Sequence, residues 1–594
     1  MIAPATLQLT VKICDRPMNF PILQHLEKVL TQPEPNPYSP RTLFWFFLSL
    51  AFTVSFAIPV LKMAFSSEYI IMDDARQYLF WMQRFSDPEL FPNDLIADFY
   101  QSAIAPGVSA FYWVFARLGI EPLVLNRLLP VVLGLVTTAY CFAVCFVLLP
   151  IPVVGFLGSL LLSQNLWLNG ELVTAISTGF LYPTFMAFLY YLLRRSWVGV
   201  AICTALVGLC YGPLMLVGVG VLVLWPINWY GWLFRFSQNR RDYIISGVGI
   251  SVAIAVIFYY LSSVSEFGPT ITVAEATLWP EFGEDGRVSF FEENAFWSFW
   301  FKNSRSGFRL SFNPPILALG LLLPVLLKFR DRFPLAKQIN DGVTVIADLT
   351  VSSIFLFFTA HILLFKLFLP SRYTIHSFRI ILAISTAIAL MLLLDCGLRK
   401  LRDRPKITAT LIAVIGILII FYPPLFWKSA FPRKNYIIGA ESGLYMFLQN
   451  QPKDTVVATL AIEADNIPSF GRRSVLISWE HSLPYQLGYY RKIRRRAKDF
   501  IRAHYTSDVA VMQDFVNTYN VDFIVLENDA FEAEFMTENL WFVQWKDLAE
   551  EAQEKLLSEP PPILLSERDR CTIFATDNLT VVSAPCLIQG NSGS

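Results

Sequence analysis

The chain has 594 residues, of which 55% are hydrophobic and only 16% charged, and its mean hydropathy is +0.48. That composition excludes a soluble globular protein of this length and predicts a polytopic α-helical membrane protein. Forty-seven basic residues balance forty-seven acidic ones, so no surplus of charge points to nucleic acid, and orientation rests on where the charges fall.

Residues 1–42 are polar and Pro-rich, with PEPNPYSP before Arg41. They lack the short apolar core and small-residue cleavage site of a secretory signal, and read as a cytoplasmic N-terminal tail. Residues 43–427 form the transmembrane part. A bilayer core needs about 20 apolar residues per helix, which predicts spans over 43–63, 122–149, 243–264, 308–327, 349–369, 378–394 and 407–427. Four shorter pieces, 151–167, 179–193, 197–211 and 213–230, are broken by polar and Gly-Pro signals. If all four cross, the basic clusters at Arg194 and Arg195, at Arg235, Arg240 and Arg241, at Lys328 to Lys337, and at Arg399 to Lys406 fall on one side, as the positive-inside rule demands. A single helix over 197–230 puts the first cluster opposite the others. The expectation is therefore about eleven spans, N-terminus inside and C-terminus outside.

Two outward loops are too long for turns, 64–121 and 265–307. The first reads as helices lying along the membrane surface, and the second as an acid-rich lid. Residues 428–594 alternate strand-like runs (TVVATLAI, SVLISW, VDFIVLEN) with helix-like ones, which predicts an outward-facing α/β soluble domain. Cys571 and Cys586 are spaced for a disulfide, whereas Cys141, Cys145, Cys203, Cys210 and Cys396 lie in apolar runs.

Adjacent carboxylates, Asp73 and Asp74, follow the first span in IMDDARQYLFWMQRF. An acid near a helix start caps it and complements its dipole, and that accounts for one Asp more easily than for two. Side by side they repel, which raises one pKa or lets both share a cation, and either state suits a general base. Asp94 and Asp98, one turn apart, read as an exposed polar face or as candidates to join the pair at an acidic site able to hold a divalent metal. LFLPSRYTIHSFRI places Arg372, Tyr373 and His376 at the outer end of a span, where phosphate binding and interfacial anchoring are both open readings. SWEHSLPYQLGYY offers Glu480 and His481 as a sugar-lining cluster or as packing.

DDARQYLFWMQRFSDPELFPND, followed by FYQSAIAPGVSAFYWVFARLG, resembles the first outer loop of the GT-C membrane glycosyltransferases, in the protein O-mannosyltransferase and aminoarabinose transferase branch. The resemblance covers about 50 residues and implies transfer of a sugar from a polyprenyl-phosphate carrier to a lipid, glycan or protein acceptor at the outer leaflet of a bacterial cytoplasmic (inner) membrane. It makes Asp73 the base, with Asp74 where the family more often has Glu, and aligns Arg76 with the family Arg. The family Lys before the loop Pro is absent from AIAPG, and the expectation is that Arg372 holds the phosphate, with Arg76 as second choice. The rival classes are a transporter and a non-catalytic scaffold whose outer domain binds envelope components. A reporter fused after Trp427 is expected to read as outside and one after Arg404 as inside. An inside signal at the first position separates the C-terminal part from the acidic pair.

Overall fold

A computed structural model describes residues 21–230, 233–262, 266–291, 296–400, 404–426 and 431–589. Trp427 and part of the last basic cluster lie outside the described residues. Among the described residues, six helices are long and apolar enough to cross a membrane: Pro40–Ala64, Pro122–Leu148, Arg240–Ser262, Asp341–Ile362, Arg372–Lys400 and Lys406–Pro423. Shorter apolar helices cover Pro152–Leu168, Trp197–Cys210, Gly212–Leu224 and Pro315–Lys328, and Ser177–Leu193 is also helical. Each segment read as apolar in the sequence thus contains a helix, with four boundaries displaced; the piece at 213–230 stops at Leu224 and ends in strand-forming residues Ile227–Tyr230. The expected span at 308–327 starts at Pro315, because Pro314 and Pro315 fit only a helix start. That at 349–369 stops at Ile362. The next begins at Arg372, ahead of position 378, directly after Pro370 and Ser371.

Trp197–Cys210 and Gly212–Leu224 form an antiparallel hairpin, not one long helix. Asp242 ties their far ends together: it accepts from Arg195 Nε at 2.9 Å, Trp225 Nε1 at 3.3 Å and Ser237 Oγ at 2.6 Å. The chain reverses at Tyr211, whose φ of −154° and ψ of 88° interrupt the helix. Helices of 14 and 13 residues are about 20 Å long, short of a bilayer core of about 30 Å. Near the Asp242 end, the Asn340 amide donates to the Leu148 carbonyl at 2.8 Å and the Glu34 amide to that of Pro150 at 2.8 Å. Inside the apolar bundle the hydroxyls of Thr53, Thr138 and Ser163 satisfy one another, at 2.6 Å for the first pair and 3.1 Å for the second.

At the opposite end the first long loop carries strand β1 (Ile70–Met72) and the helices Asp73–Leu79, Leu95–Ala103 and Pro106–Arg117. A hairpin, β2 (Ile227–Tyr230) with β3 (Leu233–Phe236), lies elsewhere in the chain. β1 pairs antiparallel with β4 (Tyr436–Ile438), so the residues after the last apolar helix are zipped to the exit of the first. Gly170, at φ +78°, sits where a Cβ would lie 2.6 Å from Asn435 Oδ1. The C-terminal third contains a sheet ordered β6 (Ser474–Val475), β5 (Val456–Thr459), β7 (Phe523–Glu527), β9 (Leu579–Ser583) and β8 (Thr572–Ala575). The three strands read from sequence are β5, β6 and β7. The helices Leu487–His504 and Val509–Tyr519 are those expected, and Cys571 and Cys586 are bonded.

Asp242 is buried and accepts three hydrogen bonds, so Asp242→Ala is expected to lower the melting temperature in detergent, losing about 1–3 kcal/mol. Asp242→Asn is expected to recover part of that loss in the same melt.

Candidate active site

Asp73 and Asp74 open the helix Asp73–Leu79. The cap is Met72, whose sulfur accepts from the Asp74 amide at 3.2 Å. Neither acid is spent on capping, and both sit in the first turn where the helix dipole favours negative charge. Their side chains diverge. Asp73, half exposed, pairs with Arg76 Nη2 at 3.0 Å. Asp74 opens onto a cleft that solvent reaches, while protein encloses it on its other sides. Burial pushes its pKa up to about 6, Asp73 adds to the rise, and Arg372 opposes it.

Arg76 joins the first long loop to the C-terminal part. It donates to Asn466 Oδ1 at 2.7 Å and stands 3.9 Å from Asp465 and 4.0 Å from Glu480. Glu480 is also paired with Arg287 at 2.9 Å, and Arg287 donates to the Trp479 and Glu480 carbonyls at 2.8 Å each. Asp465 accepts from Ser478 Oγ at 2.5 Å and the Glu480 amide at 2.9 Å. Burial raises Asp465, offset by Arg76 and Ser478. Burial likewise takes Glu480 up to about 7 against the pull of Arg287.

Beyond Asp74 the wall is cationic. Ser371 places Arg372: its amide donates to the Arg305 carbonyl at 3.0 Å and its hydroxyl to the Ser304 carbonyl at 2.8 Å. Arg372 lies within electrostatic reach of Asp74, Glu171, Tyr211 and Tyr485. Arg305 is made less basic by burial, with Tyr485 opposing and Arg287 and Arg372 adding to the effect. Arg309 feels the charges of Arg379, Arg372 and Glu171. Neither Arg309 nor Arg372 forms an ion pair with a described residue. Below them Glu171, 16% exposed, is bonded to Arg379 and lies 3.7 Å from His376 Nδ1. Burial raises Glu171, but Arg379 overrides it and leaves the carboxyl below its usual range.

Asp73, Asp74, Arg76, Glu480 and Arg372 therefore gather at one mouth. Other expected members do not. Tyr373 donates to the Leu367 carbonyl at 2.7 Å and braces the turn before its helix. His376 is buried against Tyr182 (2.8 Å) and the Tyr211 ring, one layer below. His481 is bonded to Ser478 at 2.7 Å and wedged between Phe80 and Tyr100. Asp94 caps Leu95–Ala103 through the Ile96 and Ala97 amides, and Asp98 pairs with Arg84 at 2.7 Å. Neither faces the acidic pair, and no group of three or more His, Cys, Asp or Glu suited to a metal occurs among the described residues. Sequence reasoning missed Glu171, Arg287, Arg305, Arg309, Arg379 and Asp465. Arg379 carried a signal, as a charge inside an apolar span.

The structure is similar to that of the archaeal oligosaccharyltransferase AglB from Archaeoglobus fulgidus, in complex with an inhibitory peptide and a dolichol-phosphate. The TM-score is 0.49 at 11% identity, over 85% of this chain and 72% of that one. It is also similar to the arabinofuranosyltransferase AftD from Mycobacteria, with a TM-score of 0.49 at 13% identity, over 84% of this chain and 36% of that one. A second Archaeoglobus fulgidus oligosaccharyltransferase structure, tethered with an acceptor peptide, gives 0.41 at 13% identity, over 85% and 72%. No family model and no curated protein sequence matches the chain.

A carboxyl with a raised folded pKa holds its proton where the unfolded chain has lost it, so stability falls as pH rises between the two values. For Glu480 that window runs from about 4.5 to about 7. Glu480→Gln is expected to flatten the fall in melting temperature over that range, and an unchanged slope would assign the proton elsewhere.

Proposed function

We propose that the protein is a membrane glycosyltransferase that moves a sugar from a polyprenyl-phosphate carrier to an envelope acceptor at the outer leaflet. The observation that carries this reading is the meeting of Asp74, poised near pH 6, with Arg372 and its companion arginines at the mouth of a helical bundle. In this reading a lipid phosphate enters at headgroup depth. The acceptor hydroxyl oxygen attacks the anomeric carbon, the bond from that carbon to the phosphate oxygen breaks with its electron pair, and the hydroxyl proton passes to a carboxylate. Arg372, Arg305 and Arg309 stabilise the charge growing on the phosphate, as planar donors suited to its oxygens.

Of the two acids, Asp74 is the better base. Its pKa lies near the working range, where general-base catalysis is most effective, whereas Asp73 is engaged by Arg76. Asp73 then holds Arg76 and raises its neighbour. In this reading the chain crosses the membrane eleven times with residues 428–594 as an outer domain. The buried Glu171–Arg379 pair suits a transporter as well, and vesicle uptake without any sugar transfer would favour that class.

Asp74→Asn is expected to lower turnover with the native donor about 10²–10⁴-fold, and Asp73→Asn less. The reverse order returns the proton to Asp73. Wild-type kcat/KM is expected to rise with pH through about 6, because Asp74 must be ionised to accept a proton. Arg372→Ala is expected to lose about 10²-fold or more in both carrier binding and turnover, with Arg372→Lys recovering part. Survival of both in the Ala variant makes Arg372 an interfacial anchor.

A further inference from the structure

The C-terminal sheet reverses direction at β5. β6 lies on one side of it and β7 on the other, all three parallel, so the chain leaves β5 toward β6 and crosses back to β7. Such a reversal opens a crevice beyond the carboxyl ends of the two central strands, because the loops that follow them diverge. A cavity of about 290 Å³ lies there. Ile462, just past β5, and Glu527, the last residue of β7, form two of its walls, joined by Asp529, Glu538, Trp479 and Trp541. Trp479 and Trp541 meet edge to face at 5.2 Å. Asn539 fixes Trp541 by accepting from its amide at 3.1 Å while donating to the Leu460 carbonyl at 2.9 Å.

We infer that this crevice binds a sugar unit of an uncharged glycan, and that this glycan is the acceptor of the proposed transfer, so the second clause rests on that reading. Ionised carboxylates only accept hydrogen bonds, and sugar hydroxyls supply the donors. The half-buried Trp479 indole presents flat apolar surface to the C–H face of a pyranose, and the buried Trp541 braces it edge to face. No lysine, arginine or histidine is among the described lining residues, so a phosphate, sulfate or uronate finds no counter-charge. The crevice also shares a wall with the site. Trp479 lines it, the Trp479 carbonyl accepts from Arg287, and the next residue, Glu480, faces Arg76. A glycan anchored on Trp479 thus leads along that wall toward the acidic pair.

The test uses the full-length protein in nanodiscs and reads tryptophan fluorescence on titration with mannotriose, maltotriose or chitotriose, against trigalacturonate and trilysine. At least one neutral trisaccharide is expected to bind and trigalacturonate not to. The double variant Asp529→Asn, Glu538→Gln, at exposed positions, is expected to weaken binding at least tenfold. Repeating the titration in Asp74→Asn is expected to change nothing, which separates the crevice from the transfer chemistry. Binding by none of the neutral probes, binding by trilysine in their place, or indifference to the double variant overturns the proposal.

Discussion

Positive charge gathered at the mouth of an apolar bundle is the constraint on which the structure turns. Guanidinium groups taken out of water need negative partners. Glu171 answers Arg379, and Glu480 with Asp465 and Asp73 answers Arg76 and Arg287. Arg309 and Arg372 form no ion pair with a described residue. A mouth with a cationic surplus of this kind is complementary to an anion, and Asp74 stands on its rim.

Holding such a mouth together needs backbone as well as charge. β1 and β4 knit the exit of the first long helix to the segment after the last, and Arg76 with Arg287 stitches three distant stretches of chain to one another. The site is therefore made of parts separated by hundreds of residues, each anchored by a partner that has no freedom to move alone. The short hairpin contributes the Tyr211 ring, packed edge to face on His376 beneath the mouth.

The crevice at the end of the central strands follows from a different rule. There the polarity is reversed, with carboxylates and indoles in place of arginines. Two adjoining surfaces of opposite character suit a reaction whose two substrates differ in charge. Trp479 and Glu480, consecutive in sequence, face one surface each.

The sequence by itself determined the class of protein. Apolar run length, basic clusters and the alternation after residue 428 are local signals, and hydrophobic periodicity has to be satisfied wherever the chain folds. Asp73, Asp74 and Arg372 were legible because acids and arginines beside apolar runs are costly to place without a use, and Arg76 only through the resemblance of its loop. Only the tertiary structure decided which of these groups meet. Asp94 and Asp98 look like companions of the acidic pair in sequence, yet one caps a helix and the other pairs with Arg84. Glu171, Arg287 and Arg309 look unremarked in sequence, yet face Arg372 or Glu480. Burial, and therefore pKa and pairing, depends on elements brought in from elsewhere in the chain, and no spacing along the sequence encodes that distance.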